Sequence, residues 1–276
     1  MHDQTPSAHP EQKSVDPAVV RLRSGREYLG VDRIEGPLLF LSKTHPVGYR
    51  DLVECVDSRG QVRQGIVLDT SESAVVVQVF QGTAGLTLPE TRVRFMGEPL
   101  NLAVSERMLG RVWNGLGAPR DGGPASIGEK ELSVNGLPIN PTSRRYPRDF
   151  IQTGLSAIDG MNTLIRGQKL PIFSGNGLPH NQVAAQIARQ AKILGGESEF
   201  AVVFAAMGVK HDVAQYFVRS FEESGVRSNV ALFLSLADDP SIERLITPRA
   251  ALTLAEHLAF EKEMHVLVIM TDMTNY

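Results

Sequence analysis

The sequence has 276 residues, 42% of them hydrophobic and 21% charged, which is enough length and apolar content for more than one packed domain. Its net charge of −3 excludes a general electrostatic attraction to nucleic acid or anionic lipid. Cys55 is the only cysteine, so an internal disulfide is excluded and a reducing compartment suits the chain.

The chain opens on MHDQTPSAHPEQKSVDP, which is polar, contains proline and has no apolar stretch. This excludes a signal peptide and predicts a mobile tail over 1–20. No run is long and apolar enough to span a bilayer, so a membrane connection would go through a partner.

Residues 21–95 read as β-structure. REYLGVDRI, PLLFLSK, DLVECVD, VRQGIVLDT, AVVVQVF and TRVRF are short runs rich in Val, Leu and Ile. Glu35-Gly36-Pro37, Asp57-Ser58-Arg59-Gly60 and the stretch from Thr70 to Ser73 punctuate them as turns. Six short strands in so few residues predict a small closed barrel, because closure removes exposed edges. An open sheet packed on a neighbour is the alternative.

Periodicity fades over 96–149. Asn114-Gly115, Asp121-Gly122-Gly123-Pro124, Asn135-Gly136 and Leu137-Pro138 are turn chemistry, which predicts an irregular connector belonging to the central domain. Arg144, Arg145 and Arg148 flank Tyr146 in SRRYPR, as a solvated connector or as a contact between subunits. Trp113 and Cys55 read as core or turn residues.

From 150 to 276 strands and helices alternate. Strands are expected at 170–173, 200–206, 230–236 and 265–271. Helices are expected at 181–194, 212–224 and 240–262, the last open to division at Pro248. Strands this continuous in Val, Ile, Leu, Phe and Ala are covered on both faces, as in a parallel sheet with right-handed crossovers. The predicted fold class is α/β with an N-terminal all-β barrel. Only Met273-Thr274-Asn275-Tyr276 follow the last acid, so the sheet is expected to be incomplete and the sequence truncated at its C-terminal end.

The stretch PIFSGNGLPHNQV, from Pro171 to Val183, carries the main chemical signal. An apolar run leads into Gly175 and Gly177, and Val183, Ala184, Ile187, Ala188 and Ala191 then recur at helical spacing. Strand, glycine-rich turn and helix are the setting of a phosphate loop, in which backbone N–H groups converge on an anion at a helix N-terminus. A working loop reads G-x-x-x-x-G-K-[ST]. The eight matching positions here are Ser174, Gly175, Asn176, Gly177, Leu178, Pro179, His180 and Asn181.

Each departure removes one function. Pro179 has no N–H and a fixed φ. His180 stands where lysine would meet the β and γ phosphates, and imidazole is shorter and far less basic. Losing a charged partner costs about 1.5–3 kcal/mol per hydrogen bond. Asn181 caps a helix well but replaces the hydroxyl that ligates Mg²⁺. A plain turn before a helix fits the same residues equally well.

Asp272 closes the run VLVIMTD, the position of an acid that organises Mg²⁺ through water. The run FAVVFAAMG is followed by Val209, where a hydrolase of this layout would place the carboxylate that activates water. Valine transfers no proton. Asp212 and Glu222 read as solvated helix residues. No HExxH, cysteine pair or G-x-S-x-G is present, so neither a metal site nor a serine triad is argued.

The stretches EGPLLF, VVVQVFQGTAGL, TRVRFMGEPL, SERMLGRVWNGLG, DGGP, YPRDFIQTGLSAIDGMNTLIRGQKLPIFS, GLPHN, VVFAAMG and MTDMTNY carry a family resemblance. The sequence resembles the B subunits of the V/A-type rotary ATPases and ATP synthases, the non-catalytic partners of the catalytic A subunits. The resemblance implies a β-barrel, a RecA-like P-loop NTPase core and a C-terminal helical domain, the last absent here. It implies a hetero-hexameric A–B ring with central rotor and peripheral stalk subunits, at the cytoplasmic face of a membrane touched only through the complex. That ring couples ATP synthesis or hydrolysis to H⁺ or Na⁺ transport. In catalytic relatives the strand is followed by G-E-R; the match here is Gly208-Val209-Lys210, so the acid is lost. The implied protein has no catalytic residue and no tightly bound cofactor, with weak ATP or ADP binding at most.

Two other readings stand beside it. A catalytic rotary or export-type ATPase needs an intact loop and an acid at 209. A RecA-like nucleic-acid motor with a barrel binding domain needs a basic, aromatic barrel. Tyr28, Phe40, Tyr49, Phe80 and Phe95 show no stacking cluster in the sequence.

Overall fold

The computed structural model describes residues 26–42, 46–143, 146, 148–175, 177–193 and 200–276. The expected tail at 1–20, Arg144, Arg145 and Asn176 lie outside the described residues.

The first unit is an antiparallel sheet. Its strands are β1 (Arg26–Leu29), β2 (Arg33–Glu35), β3 (Leu38–Ser42), β4 (Asp51–Val56), β5 (Val62–Thr70), β6 (Ala74–Val79) and β7 (Arg92–Pro99). They lie in the order β1-β7-β4-β5-β6-β3-β2. The two outer strands are consecutive in the chain, joined by Gly30, Val31 and Asp32. So short a link brings the sheet's edges together, which is possible only if the sheet curls like a barrel. The run REYLGVDRI, expected as one strand, is therefore two strands on opposite edges. The pivot is Gly30 at φ +86, a conformation that costs a glycine little. Gly30 N donates to Thr91 O at 2.8 Å and Asp32 N to Phe40 O at 2.9 Å, so the link changes partner strand within three residues.

Alternation fills the curled sheet. Leu39, Leu41, Val53, Cys55, Val67, Val75, Val77, Val79, Val93 and Phe95 point to one core while their neighbours face outward. Burial pushes the Cys55 thiol up to about 12, which leaves it unreactive packing matter.

The connector is more ordered than its turn residues suggest. β8 (Asn101–Val104) follows β7 directly, and β9 (Val112–Trp113) comes next. β10 (Lys130–Ser133) then returns to pair antiparallel with β8. β9 joins the parallel sheet of the second unit, so a stretch expected as irregular supplies one of that sheet's strands. Trp113 is fully buried, its indole N–H donating to Met108 O at 3.0 Å. The Arg111 guanidinium lies 4.4 Å over its ring and forks onto Asp121 at 2.9 and 2.7 Å.

Beyond 150 come β11 (Ile151–Gln152), α1 (Ser156–Met161), α2 (His180–Gln190), β12 (Lys192–Ile193), β13 (Phe200–Val209), α3 (His211–Glu223), β14 (Val230–Leu236), α4 (Ser241–Glu256) and β15 (His265–Thr271). The parallel sheet runs β15-β13-β14-β9. Alternation again decides the layers. Val202, Phe204 and Ala206 of β13 pack with Ala184, Ala188, Phe217 and Phe221 of α2 and α3. Ala201, Val203, Ala205 and Met207 pack with Ile246, Ala250 and Leu254 of α4. The sheet is thus covered on both faces, as its unbroken hydrophobicity predicts.

Three expectations change here. The helix expected over 181–194 ends at Gln190, because Lys192 and Ile193 pair with Gln152 and Ile151. Pro248 does not divide α4. Its ring removes one helical hydrogen bond, but both neighbouring turns are pinned by burial of Ile246, Ala250 and Ala251. The third is the expected strand at 170–173, which forms no strand at all.

Candidate functional site

The glycine-rich stretch lies between an irregular exposed segment and α2. Ile172 is 53% and Phe173 93% exposed, where a strand inside a sheet would be buried. No strand among the described residues pairs with the outer edge of β15. The strand–turn–helix frame expected of a phosphate loop is therefore present only in its helical half. Four apolar residues hold a strand only within a ladder, and this segment does not pair with the open edge of β15.

Within the loop, two backbone donors turn inward. Leu178 N donates to Gly175 O at 3.3 Å and His180 N to Leu178 O at 2.9 Å. Gly177 takes φ +84, and Pro179 sits at the α2 N-terminus without a capping side chain. The ring Nδ1 of His180 lies 3.0 Å from the same Leu178 O. A carbonyl only accepts, so Nδ1 carries the proton in that contact. The His180 Nε2 faces Asp272 Oδ1 at 3.8 Å. Only the doubly protonated ring offers a donor to both oxygens.

The structure thus brings His180 and Asp272 together from positions far apart in sequence. Asp272 stands just past β15 in the left-handed region, φ +58, which an aspartate tolerates better than most residues. Asp272 Oδ2, Asn181 Oδ1 and Thr271 Oγ are enclosed oxygens without a hydrogen-bond partner. Asn275 Nδ2 donates to Met207 O at 3.0 Å, tying the segment after Asp272 to β13.

The fit to a nucleotide divides. The three unpaired oxygens are of the type that accepts from a hydrated divalent cation. The phosphate cradle does not fit: Pro179 has no N–H, the His180 N–H is spent on Leu178, and the one basic side chain faces Asp272. Among the described residues no group of three His, Cys, Asp or Glu is placed to hold a metal ion directly.

Val209 ends β13 and is buried among Phe217, Leu234 and Leu236. Its carbonyl accepts from Ala237 N at 2.9 Å. The position is at the C-terminal end of the parallel strands, where open α/β sheets bind ligands, and its side chain is core. Asp212 and Glu222 are exposed on α3.

A charged cluster at the same end of the sheet was not legible in sequence. The Arg120 guanidinium pairs with Asp239 and lies 3.6 Å from Glu243. Glu243 is 6% exposed and accepts from Gly115 N at 2.9 Å. Burial raises its carboxyl above the ordinary value. Gly115 is required by contact: a Cβ there would collide with Thr247 Oγ1 and the Glu243 carbonyl. Partners separated by 119 and 128 residues leave no local signal.

Comparison with known proteins places this geometry. The nucleotide-binding domain of the ATP synthase alpha/beta family matches residues 154–276, and the beta-barrel domain of the same family matches 31–97. The chain belongs to the ATP synthase alpha/beta family. It is 59% identical over 253 residues to the B subunit of the A-type ATP synthase of Methanopyrus kandleri. That alignment covers 92% of this chain and 26% of the relative, so the chain spans about a quarter of the relative's length. The curled sheet and the parallel sheet are this family's two domains, and the degenerate loop falls inside the nucleotide-binding match. No helix among the described residues is long and apolar enough to cross a membrane.

Proposed function

We propose that the protein acts as a non-catalytic B-type component of a rotary ATP synthase or ATPase, without ATP turnover of its own. The observation that carries this reading is the inward-turned loop, in which His180 faces Asp272 and the Leu178 and His180 N–H groups serve the loop's own carbonyls. Val209 supports it, because a buried aliphatic side chain occupies the strand end where a water-activating acid would sit. The catalytic ATPase reading needs both features reversed. The nucleic-acid motor needs a basic barrel, and the barrel instead carries mixed charge, with Arg94 bridging Glu27 and Glu54.

On this reading the partners are catalytic A subunits alternating with it in a hexameric ring, with rotor and peripheral stalk subunits around them. The membrane is reached through that complex, at its cytoplasmic face, and the transported ion is H⁺ or Na⁺. ATP or ADP binds weakly or not at all, and Ser174 to Asn181 act as a structural turn at the A–B contact.

The test is paired. Purified protein is assayed for ATP hydrolysis, and Mg-ATP binding is followed by calorimetry. No turnover and no sub-micromolar dissociation constant are expected. Turnover that follows the protein through purification and disappears on Asp272→Asn would overturn the assignment. So would sub-micromolar Mg-ATP binding, which the loop geometry does not support.

A further inference from the structure

We propose that His257 is the proton-sensitive pin of a clasp that fastens the end of α4 to the β8–β10 strand pair. The helix does not stop at Glu256 but widens into a π-turn over His257–Glu261. Such turns insert a residue into the helical repeat and reposition side chains, often where function requires it. Here Lys262 N donates to His257 O at 3.3 Å, five residues back. The widening turns His257 inward, to 2% exposure, and leaves Glu261 and Lys262 at the surface above it.

The β8–β10 pair supplies the other half. Glu129 and Lys130, entering β10, cross-pair with Lys262 and Glu261: Lys262 Nζ to Glu129 at 2.6 Å and Lys130 Nζ to Glu261 at 2.6 Å. Ser105 donates its hydroxyl to the second Glu129 oxygen at 3.3 Å. The lysines hold both carboxyls below the usual carboxylate range, so both are anions across the range in which histidines generally change charge. Glu106 adds negative charge near Lys262.

His257 lies beneath this square. Its Nδ1 is 3.2 Å from Glu261 and its Nε2 is 3.8 Å from Glu129, and neither nitrogen has a well-aligned hydrogen bond. The neutral ring has one N–H for two carboxylates, and its lone pair must face one of them. The imidazolium donates to both. Proton uptake therefore closes the clasp and ties the helix to the β8–β10 pair. Proton loss leaves a buried lone pair against a carboxylate and loosens the π-turn. This device is separate from the loop at 174–181 and stands or falls apart from it.

The test is amide hydrogen exchange of residues 257–264 between pH 5.5 and 8.5, corrected for the intrinsic rate, on the whole protein. Protection is expected to fall by about tenfold as pH rises, the scale of one hydrogen bond to a charged group. In His257→Gln the pH dependence should vanish. If that variant does not fold, the Glu129→Gln/Glu261→Gln double variant carries the same expectation. Ring ¹⁵N shifts should show both His257 nitrogens protonated at pH 5.5 in the wild type. Protection in the wild type that does not change with pH, or a neutral His257 ring at pH 5.5, would overturn the proposal.

Discussion

Replacing Asp121 with asparagine tests the clasp that holds β9 in the parallel sheet. Asp121 takes a fork from Arg111 at 2.9 and 2.7 Å and accepts from Gly123 N at 3.0 Å. The Arg111 hydrogen bond is the leading reason its carboxyl falls from 3.8 to about 2. At 1.36 kcal/mol per tenfold change in proton affinity, that drop corresponds to about 2 kcal/mol favouring the folded state. Its side chain is only 15% exposed, so solvent screening removes little of this. The sign follows from the lowered value: the contribution is complete above the unfolded carboxyl's 3.8 and is lost as pH falls toward 2. Urea unfolding at pH 7 should place D121N about 2 kcal/mol below wild type, with unchanged slope. Near pH 3 the gap should shrink to roughly half. A gap that stays constant with pH, or one under about 0.5 kcal/mol at pH 7, would refute the electrostatic account.

Three further outcomes are expected. Phe217→Ala removes a fully buried ring lying 4.6 Å from Phe204, so urea unfolding should report a loss of about 3–5 kcal/mol. Gly30→Ala forces a side chain into φ +86 with its Cβ 3.3 Å from Leu88 O, costing about 1–2 kcal/mol in the same assay, with the added exchange confined to the β1–β2 link. Glu243 has the opposite pH sign to Asp121. Its folded value is raised by burial, so wild type should lose stability as pH rises from 4.5 through that raised value, and Glu243→Gln should flatten this slope.

The two sheets were legible because their signals are local. AVVVQV is a short valine-rich run between turn residues and forms β6, while FAVVFAAM is a longer continuous run and forms the doubly covered β13. What failed was whatever depended on a distant partner. Val112 and Trp113 form a strand only because Leu232 and Phe233 lie beside them, from a remote part of the sequence. REYLGVDRI looks like one strand, since nothing in its alternation says that Gly30 will turn it onto the other edge. His257 sits in a helical pattern like any other residue, and its two carboxylate neighbours appear only when the connector folds against α4.

The stretch at 170–181 is the sharpest case. Its residues read as an apolar strand, a glycine turn and a helix, and the helix forms. The strand does not, because its stability comes from a ladder that no local residue can provide. This changes how the substitutions at Pro179, His180 and Asn181 combine. If the frame were intact, restoring lysine and a hydroxyl would restore most of a phosphate site. Here the His180–Asp272 approach and the Leu178 carbonyl already occupy the basic group and a donor, so side-chain restoration leaves the cradle unbuilt. A Pro179→Gly/His180→Lys/Asn181→Thr variant is therefore expected to gain no more than about tenfold in Mg-ATP affinity by calorimetry, the scale of one charged hydrogen bond without preorganised backbone donors. A gain of three orders of magnitude would mean that the nucleotide itself orders the segment before Ser174, and that the loop's frame is selected by ligand instead of lost.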